Sequence, residues 1–281
     1  MDNYTVERMN EADVDYAIEW AAKEGWNPGL QDAACFYQTD PHGFFVGKLD
    51  GKIIAMGSAV VYDEHFAFCG FYIVDKEFRG KGYGLALTKV RLEYVGARNA
   101  GIDGVVNMVD KYARLGYRIA HNNGRYVGLA PLHGKQNNPA IVPLTTFDFT
   151  QLLEYDRLHF PALREAFLKC WINQSEGASL GYVSSGRLVG YGVMRACRSG
   201  FKIGPLFADS PAIAEELFLN LLQYAKGKEF YLDIPENNPH AKALVERHQL
   251  RKVFETARMY LKGEPHLPIE QIYGITTFEL G

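Results

Sequence analysis

The chain has 281 residues, 47% hydrophobic and 22% charged, enough to bury one large core or two ordinary ones. A formal net charge of −3, with no run of five basic residues, argues against a nucleic-acid partner. No apolar run reaches the roughly 18 residues of a bilayer span, and the opening MDNYTVERMNEAD has no apolar leader core, so a cytoplasmic protein without a membrane partner is expected.

The four cysteines, Cys35, Cys69, Cys170 and Cys197, are far apart and form no C-x-x-C pair. No Cys/His group has zinc-ligand spacing, so no metal is expected and the thiols are read as reduced.

In chain order, a first helix ends at Glu24-Gly25-Trp26-Asn27-Pro28-Gly29. A strand–turn–strand follows from Gly43 to Tyr62, turning at Gly51-Lys52. Gly70 to Asp75 reads as a further strand. A helix from about Gly82 to Arg98 carries Leu87, Val90 and Tyr94 on one face. A strand over Gly104–Met108, a short helix and a last strand close this half.

The polar, turn-rich stretch HGKQNNPAIVP, His133 to Pro143, comes next. The same order of elements then returns. Ser179 to Ala196 is a second strand–turn–strand, turning at Gly186-Arg187. Gly204 to Asp209 repeats the strand at Gly70, 134 residues on. Ile213, Leu217, Leu221 and Tyr224 mark the helix, and Phe230–Ile234 the next strand. Two mixed α/β units are therefore expected, 1–131 and 145–281, joined by a linker over 132–144. Ahead of the second hairpin, Leu163, Ala166, Phe167, Cys170 and Trp171 have core spacing, with Tyr155, Asp156 and Arg164 left as candidate cleft residues.

Arg79-Gly80-Lys81-Gly82-Tyr83-Gly84 sits between a strand and a helix. Its glycines let backbone approach a ligand, and amides converge at a helix N-terminus where an anion is favoured. Arg79 and Lys81 add charge-assisted donors to a phosphate. A dinucleotide fold puts its glycine loop after the first strand, with different spacing, and a P-loop needs G-x-x-x-x-G-K-[ST]. Neither fits.

The run Val74-Asp75-Lys76-Glu77-Phe78-Arg79-Gly80-Lys81-Gly82-Tyr83-Gly84 resembles the acyl-CoA signature of the GNAT superfamily, V-x-P-x-x-R-G-x-G-x-G, with Lys76 at the usual proline. The resemblance implies a tandem GNAT fold, a mixed α/β sheet in each half, with acetyl-CoA or another acyl-CoA as co-substrate. It implies that the amides of residues 80–84 hold the pyrophosphate and that Ile73 and Val74 pair with the pantetheine arm. Tyr112-Ala113-Arg114-Leu115-Gly116-Tyr117 resembles the family's Y-x-x-x-G-[FY], which puts Tyr112 near the sulfur. A phenol of pKa about 10 can protonate a departing thiolate of pKa about 8.5. The family's asparagine seven residues before that tyrosine is Val105 here, which shifts the cofactor contact to Asn107. Trp26 and Asn27 fall where family members shape the acceptor pocket. Glu24, Asp63, Glu64, Asp103 and Asp110 are all open as the base.

The second half resembles a worn copy. Ser210-Pro211-Ala212-Ile213-Ala214-Glu215 replaces the glycine loop and reads as a capped helix start. Val245 stands where a tyrosine is expected and Gln249 where a glycine is. Such a half can cover the substrate cleft, form a homodimer surface or bind an effector. The resemblance implies N-acetyl transfer to an amine, a small molecule being favoured by the aromatics near the first helix, by direct transfer in a ternary complex. The alternative is a CoA-binding sensor or interaction module without turnover.

Overall fold

The computed structural model describes residues 3–132 and 138–281; residues 133–137 of the expected linker lie outside them. The first half runs β1 (Tyr4–Arg8), α1 (Glu11–Lys23), α2 (Asp32–Thr39), β2 (Phe44–Leu49), β3 (Lys52–Val61), β4 (Phe66–Val74), α3 (Tyr83–Val95), β5 (Asn99–Val105), α4 (Val109–Arg114) and β6 (Arg118–Leu129). The second half repeats it as β7 (Ile141–Pro143), α5 (Phe149–His159), α6 (Glu165–Trp171), β8 (Gly177–Ser184), β9 (Arg187–Ala196), β10 (Phe201–Ala208), α7 (Pro211–Leu222), β11 (Glu229–Pro235), α8 (Pro239–Arg247) and β12 (Arg251–Tyr260), then adds β13 (Ile272–Gly274). Each hairpin turn is glycine at positive φ, Gly51 at +80° and Gly186 at +76°, which suits tight turns between twisted strands.

Several boundaries differ from expectation; the strands expected from Gly70 and Gly204 begin at Phe66 and Phe201. Gly96, at φ +61°, stops α3 at Val95 rather than at Arg98. The apolar run Gly104–Met108 is split: β5 ends at Val105, and Val106–Met108 forms a 3₁₀ turn leading into α4.

All these strands belong to one sheet, in the order β1-β2-β3-β4-β5-β12-β6-β11-β10-β9-β8-β7, with β13 on β10. The last strand of each half is exchanged. β12 pairs with β5 of the first half, and β6 pairs with β11 of the second. β6 and β12 pair with each other along the middle.

Among the described residues three buried ion pairs cross between the halves. Asp103 on β5 holds Arg258 on β12 at 2.7 and 2.8 Å. Arg125 on β6 holds Asp233 on β11 at 2.6 and 2.7 Å. Asp32 on α2 accepts from Arg195 on β9 at 2.9 Å. Removing one partner leaves a buried charge, which costs about 3–5 kcal/mol in such pairs. The apolar core is shared as well: Phe36 packs on Phe71 at 5.6 Å and on Trp171 at 6.0 Å between ring centres.

The packing of α2 on α6 also corrects the reading of the cysteines as reduced. Cys35 and Cys170 lie with Cα atoms 5.3 Å apart and are joined as a disulfide, while Cys69 and Cys197 are free and buried. Neither the length between them in sequence nor their spacing could signal this, because their contact is made by tertiary packing. Among the described residues no helix is long and apolar enough to cross a membrane, and no group of three His, Cys, Asp or Glu is placed to hold a metal.

Candidate active site in the first half

A gap in the sheet creates the site. β4 and β5 run parallel and pair from Phe66 and Asn99 to Cys69 and Ile102. Beyond Cys69 they part, while β4 stays paired with β3 as far as Val74. A bulge marks the parting: the β3–β4 register shifts between Met56 and Ser58, and Phe71 takes φ +49°. A side chain held in that region costs on the order of 1–3 kcal/mol, and the Phe71 ring is held by Phe36 and Phe44. Buried Arg91 of α3 satisfies the carbonyls of the bulge, donating to Ser58 O at 2.7 Å and to Gly70 O at 3.2 Å. A cavity of about 840 Å³ fills the gap, and one face of it is the unpaired edge of β4.

Ile73 and Val74 form that edge, and both line the cavity, as do Arg79, Gly80, Gly82 and Gly84. Gly80 has φ +76° and Gly82, the N-cap of α3, has φ +89°. Among the described residues the amides of Gly80 to Gly84 donate no hydrogen bond within the chain, so they are free for an anion at the helix N-terminus. A Cβ at Gly84 would meet the Tyr72 hydroxyl at 2.1 Å and Val74 Cγ2 at 2.9 Å, which is why the helix can come so close to the strand. Arg79 donates to Val74 O at 2.7 Å and to Glu24 at 2.8 Å.

Two residues of the loop face elsewhere. Lys81 Nζ lies 5.3 Å over the Phe78 ring, and Tyr83 packs on Tyr4 of β1 at 4.8 Å. Neither lines the cavity, so any contact of theirs with a phosphate is through the main chain.

Tyr112 and Asn107 both line the opposite wall. Gly104 on β5 leaves room for the Tyr112 ring, since a Cβ there would come within 2.7 Å of it. Burial pushes the Tyr112 phenol up to about 12, so it keeps its proton across the physiological range. Trp26 lines the cavity too. Asn27 does not. Its side chain donates to Ser199 O and accepts from Ser199 N, each at 2.9 Å, and its carbonyl accepts from Lys202 Nζ at 2.9 Å. It is a clamp between the halves rather than a wall of this cavity.

The expected carboxylates are mostly occupied. Glu24 pairs with Arg79. Asp103 lines the cavity but is held by Arg258 and, at 2.7 Å, by Asn123. Asp63 accepts from the amides of His65 and Phe66 in the β3–β4 turn, and Glu64 and Asp110 do not line the cavity. Instead the second half supplies Phe254, Glu255 and Thr256 from β12, and Phe278 and Glu279 from the C-terminal tail. No local signal marks them; they arrive through the strand exchange and the path of the tail.

The corresponding gap in the second half is closed by the chain itself. β10 and β11 pair only from Phe201 and Phe230 to Ile203 and Leu232. β13 then lies antiparallel on β10, Leu206 opposite Gly274 and Phe207 opposite Ile272. Ile275 N donates to Asp233 O at 2.9 Å, and Asn238 Nδ2 to Ile272 O at 2.9 Å. Ser210 caps α7, with Pro211 at its first turn. Tyr155, Asp156 and Arg164 are core rather than cleft: Asp156 and Arg164 form a fully buried pair at 2.7 Å, and the Tyr155 hydroxyl donates to Asp209.

Comparisons with known proteins agree with this architecture. Residues 9–117 match the model of the Acetyltransferase (GNAT) family, and residues 152–274 match that of an Acetyltransferase (GNAT) domain. The chain is 29% identical over 267 residues, 94% of its own length and 90% of the relative's, to a protein named holothin acyltransferase from Pseudoalteromonas sp. strain SANK 73390. In fold it resembles a crystal structure of an acetyltransferase candidate from Pyrococcus horikoshii, with TM-score 0.85, 20% identity, and 100% and 97% of the two chains covered. It also resembles a tandem GNAT protein from the clavulanic acid biosynthesis pathway, with TM-score 0.66, 13% identity, and 94% and 99% covered. At these identities the two solved structures speak for the fold alone.

Proposed function

The chain belongs to the GNAT acetyltransferase family, and from that premise we propose that its first half transfers an acyl group, acetyl in the simplest case, from acyl-CoA to the primary amine of a small molecule. The observation that carries this reading is the parting of β4 from β5 beside a loop of free amides. The unpaired edge at Ile73 and Val74 suits an extended pantetheine arm, and Gly80 to Gly84 suit the pyrophosphate. The name of the Pseudoalteromonas relative, holothin acyltransferase, supports acyl transfer as the reaction.

The chemistry follows from the two walls. The amine nitrogen attacks the thioester carbonyl held along β4, and a main-chain amide of the strand near Ile73 steadies the oxyanion. As the C–S bond breaks, the Tyr112 O–H faces the departing sulfur and donates to it. Both substrates are held at once, so much of the rate comes from orientation.

Calorimetric titration with acetyl-CoA and CoA tests the first part. Saturable binding by the wild type that is lost in Gly82→Ala supports the loop as the phosphate site; equal binding by both proteins overturns it. The Tyr112→Phe variant tests the second part. Slower acetyl transfer with CoA affinity kept supports enzyme over sensor, whereas an unchanged rate removes Tyr112 from the mechanism.

A further inference from the structure

We propose that Glu279, carried on the C-terminal tail of the second half, is the catalytic base of the first half: its carboxylate takes the proton of the incoming ammonium. This rests on the acyl-transfer reading above and names a residue for the one role that reading leaves open.

The tail does two things in ten residues. β13 fills the gap of the second half. The chain then crosses to the first half, where Thr277 Oγ1 accepts from the amides of Glu279 and Leu280 at 3.2 and 2.8 Å. The Tyr62 hydroxyl holds Leu280 O at 2.8 Å. The Glu279 carbonyl rests against Gly70, so closely that a Cβ on that glycine would lie 2.1 Å away. Gly70 is the residue at which β4 leaves β5. Glu279 is thus fixed at the inner end of the cavity, beside the bulge, and away from the phosphate loop.

Its environment is that of a group awaiting a partner. Glu279 is 3% exposed and lines the cavity, yet its Oε1 has no hydrogen bond and no cation lies within ion-pair distance among the described residues. The charged groups around it come from several elements: Asp32 of α2, Arg125 of β6, Arg195 of β9 and Lys202 of β10. Arg195 is neutralised by Asp32, and Arg125 by Asp233 of β11. Among the described residues Lys202 bonds only to the Asn27 carbonyl. Among the described residues, Glu279 and Lys202 are therefore the acid and the base of this cluster that no contact ion pair neutralises. Burial raises the Glu279 carboxyl, and Lys202 and Arg125 oppose it without cancelling it. A carboxylate with a raised pKa binds a proton more strongly than a solvated one.

The step balances. R–NH3⁺ gives one proton to Glu279, leaving R–NH2 and a neutral carboxylic acid. The amine forms the C–N bond and sheds its second proton, the C–S bond breaks, and the sulfur leaves as CoA thiol with a proton from Tyr112, which the second amine proton replaces. Glu279 returns its proton to water, and the net change is one proton released per amide formed.

The test compares acceptors by basicity, with acetyl-CoA as donor. Benzylamine is protonated at neutral pH and needs a base; aniline is already neutral and does not. Rates are measured against pH for wild type, E279Q and E279D, with CoA calorimetry as the check on folding. E279Q should lose at least about 100-fold on benzylamine, lose the acidic limb of kcat/KM, and keep its aniline rate and CoA affinity. E279D should keep the limb at a reduced rate, which preserves the test if E279Q misfolds. Equal losses on both amines, or a benzylamine limb unchanged in E279Q, would overturn Glu279 as the base while leaving acyl transfer standing. A wild type that binds CoA but acetylates neither these amines nor a wider panel of alkyl and aryl amines overturns both readings.

Discussion

Arg79 and Glu24, both in the wall of the first cavity, are joined Nη2 to Oε1 at 2.8 Å, and their side chains are 47% and 30% exposed. A pair this solvated contributes at most about 1 kcal/mol. It is therefore free to break when a phosphate offers Arg79 a better partner. Glu24→Gln should leave thermal stability nearly unchanged and leave CoA affinity equal or greater. Arg79→Ala should weaken CoA binding by about tenfold, from the loss of one charge-assisted contact, and flatten its salt dependence. Calorimetry at two ionic strengths measures both. A large loss of affinity in Glu24→Gln would mean that the pair, rather than Arg79 alone, shapes the site.

β13 makes the second half a closed scaffold. Gly274 lies opposite Leu206, and a Cβ there would meet Leu232 Cδ1 at 2.7 Å. Gly274→Ala should therefore destabilise the chain by about 1–3 kcal/mol, as overpacking does, while leaving CoA stoichiometry at one per chain. Two CoA molecules bound per wild-type chain in titration would contradict the plug.

The repeat of elements was legible because hydrophobic period, turn glycines and the glycine loop are local features. Gly51 and Gly186, 135 positions apart, do the same work in the same turn. The loop at Arg79 to Gly84 was legible for the same reason. What lay hidden depends on distant chain segments meeting. The exchange of β6 and β12 leaves each strand with an ordinary pattern in sequence, and only the sheet order shows it. Asn27 has the composition of a loop residue near a pocket, yet its partner Ser199 lies 172 residues away. Glu279 sits in a short tail with no motif around it, and gains its position from Gly70 and Thr277.

The Cys35–Cys170 link closes a sequence separation of 135 residues and ties α2 to α6 across the halves. Constraining so long a loop in the unfolded chain is worth roughly 4–5 kcal/mol in the chain-entropy account. Cys35→Ser should lower Tm markedly, and reductant should lower the wild-type Tm toward that of the variant. Thiol titration of the unreduced, unfolded protein should find only Cys69 and Cys197. Four reactive thiols in freshly purified protein would show the link to be unformed.

His121 on β6 sets an acid limit to stability. Its side chain is 8% exposed, and among the described residues its Nδ1 has no hydrogen bond. Burial, then the nearby Arg258 guanidinium, push its pKa down to about 3. Glu264 lies 3.6 Å from Nδ1, but it is 53% exposed and too solvated to offset them. The sign follows from which state binds the proton. Below a pH of about 6.5 the unfolded histidine is protonated while the folded one is not, so acid favours unfolding. The stability from a neutral His121 is complete above about 6.5 and is lost through the window down to about 3. Within that window the loss from this group approaches about 1.4 kcal/mol per pH unit. Urea unfolding at pH 7, 6 and 5 should show the wild type losing stability faster than His121→Gln, with the variant taking up about one proton fewer on unfolding. Parallel pH dependences for the two proteins would mean that His121 carries its proton in the folded state, and that Glu264 compensates it after all.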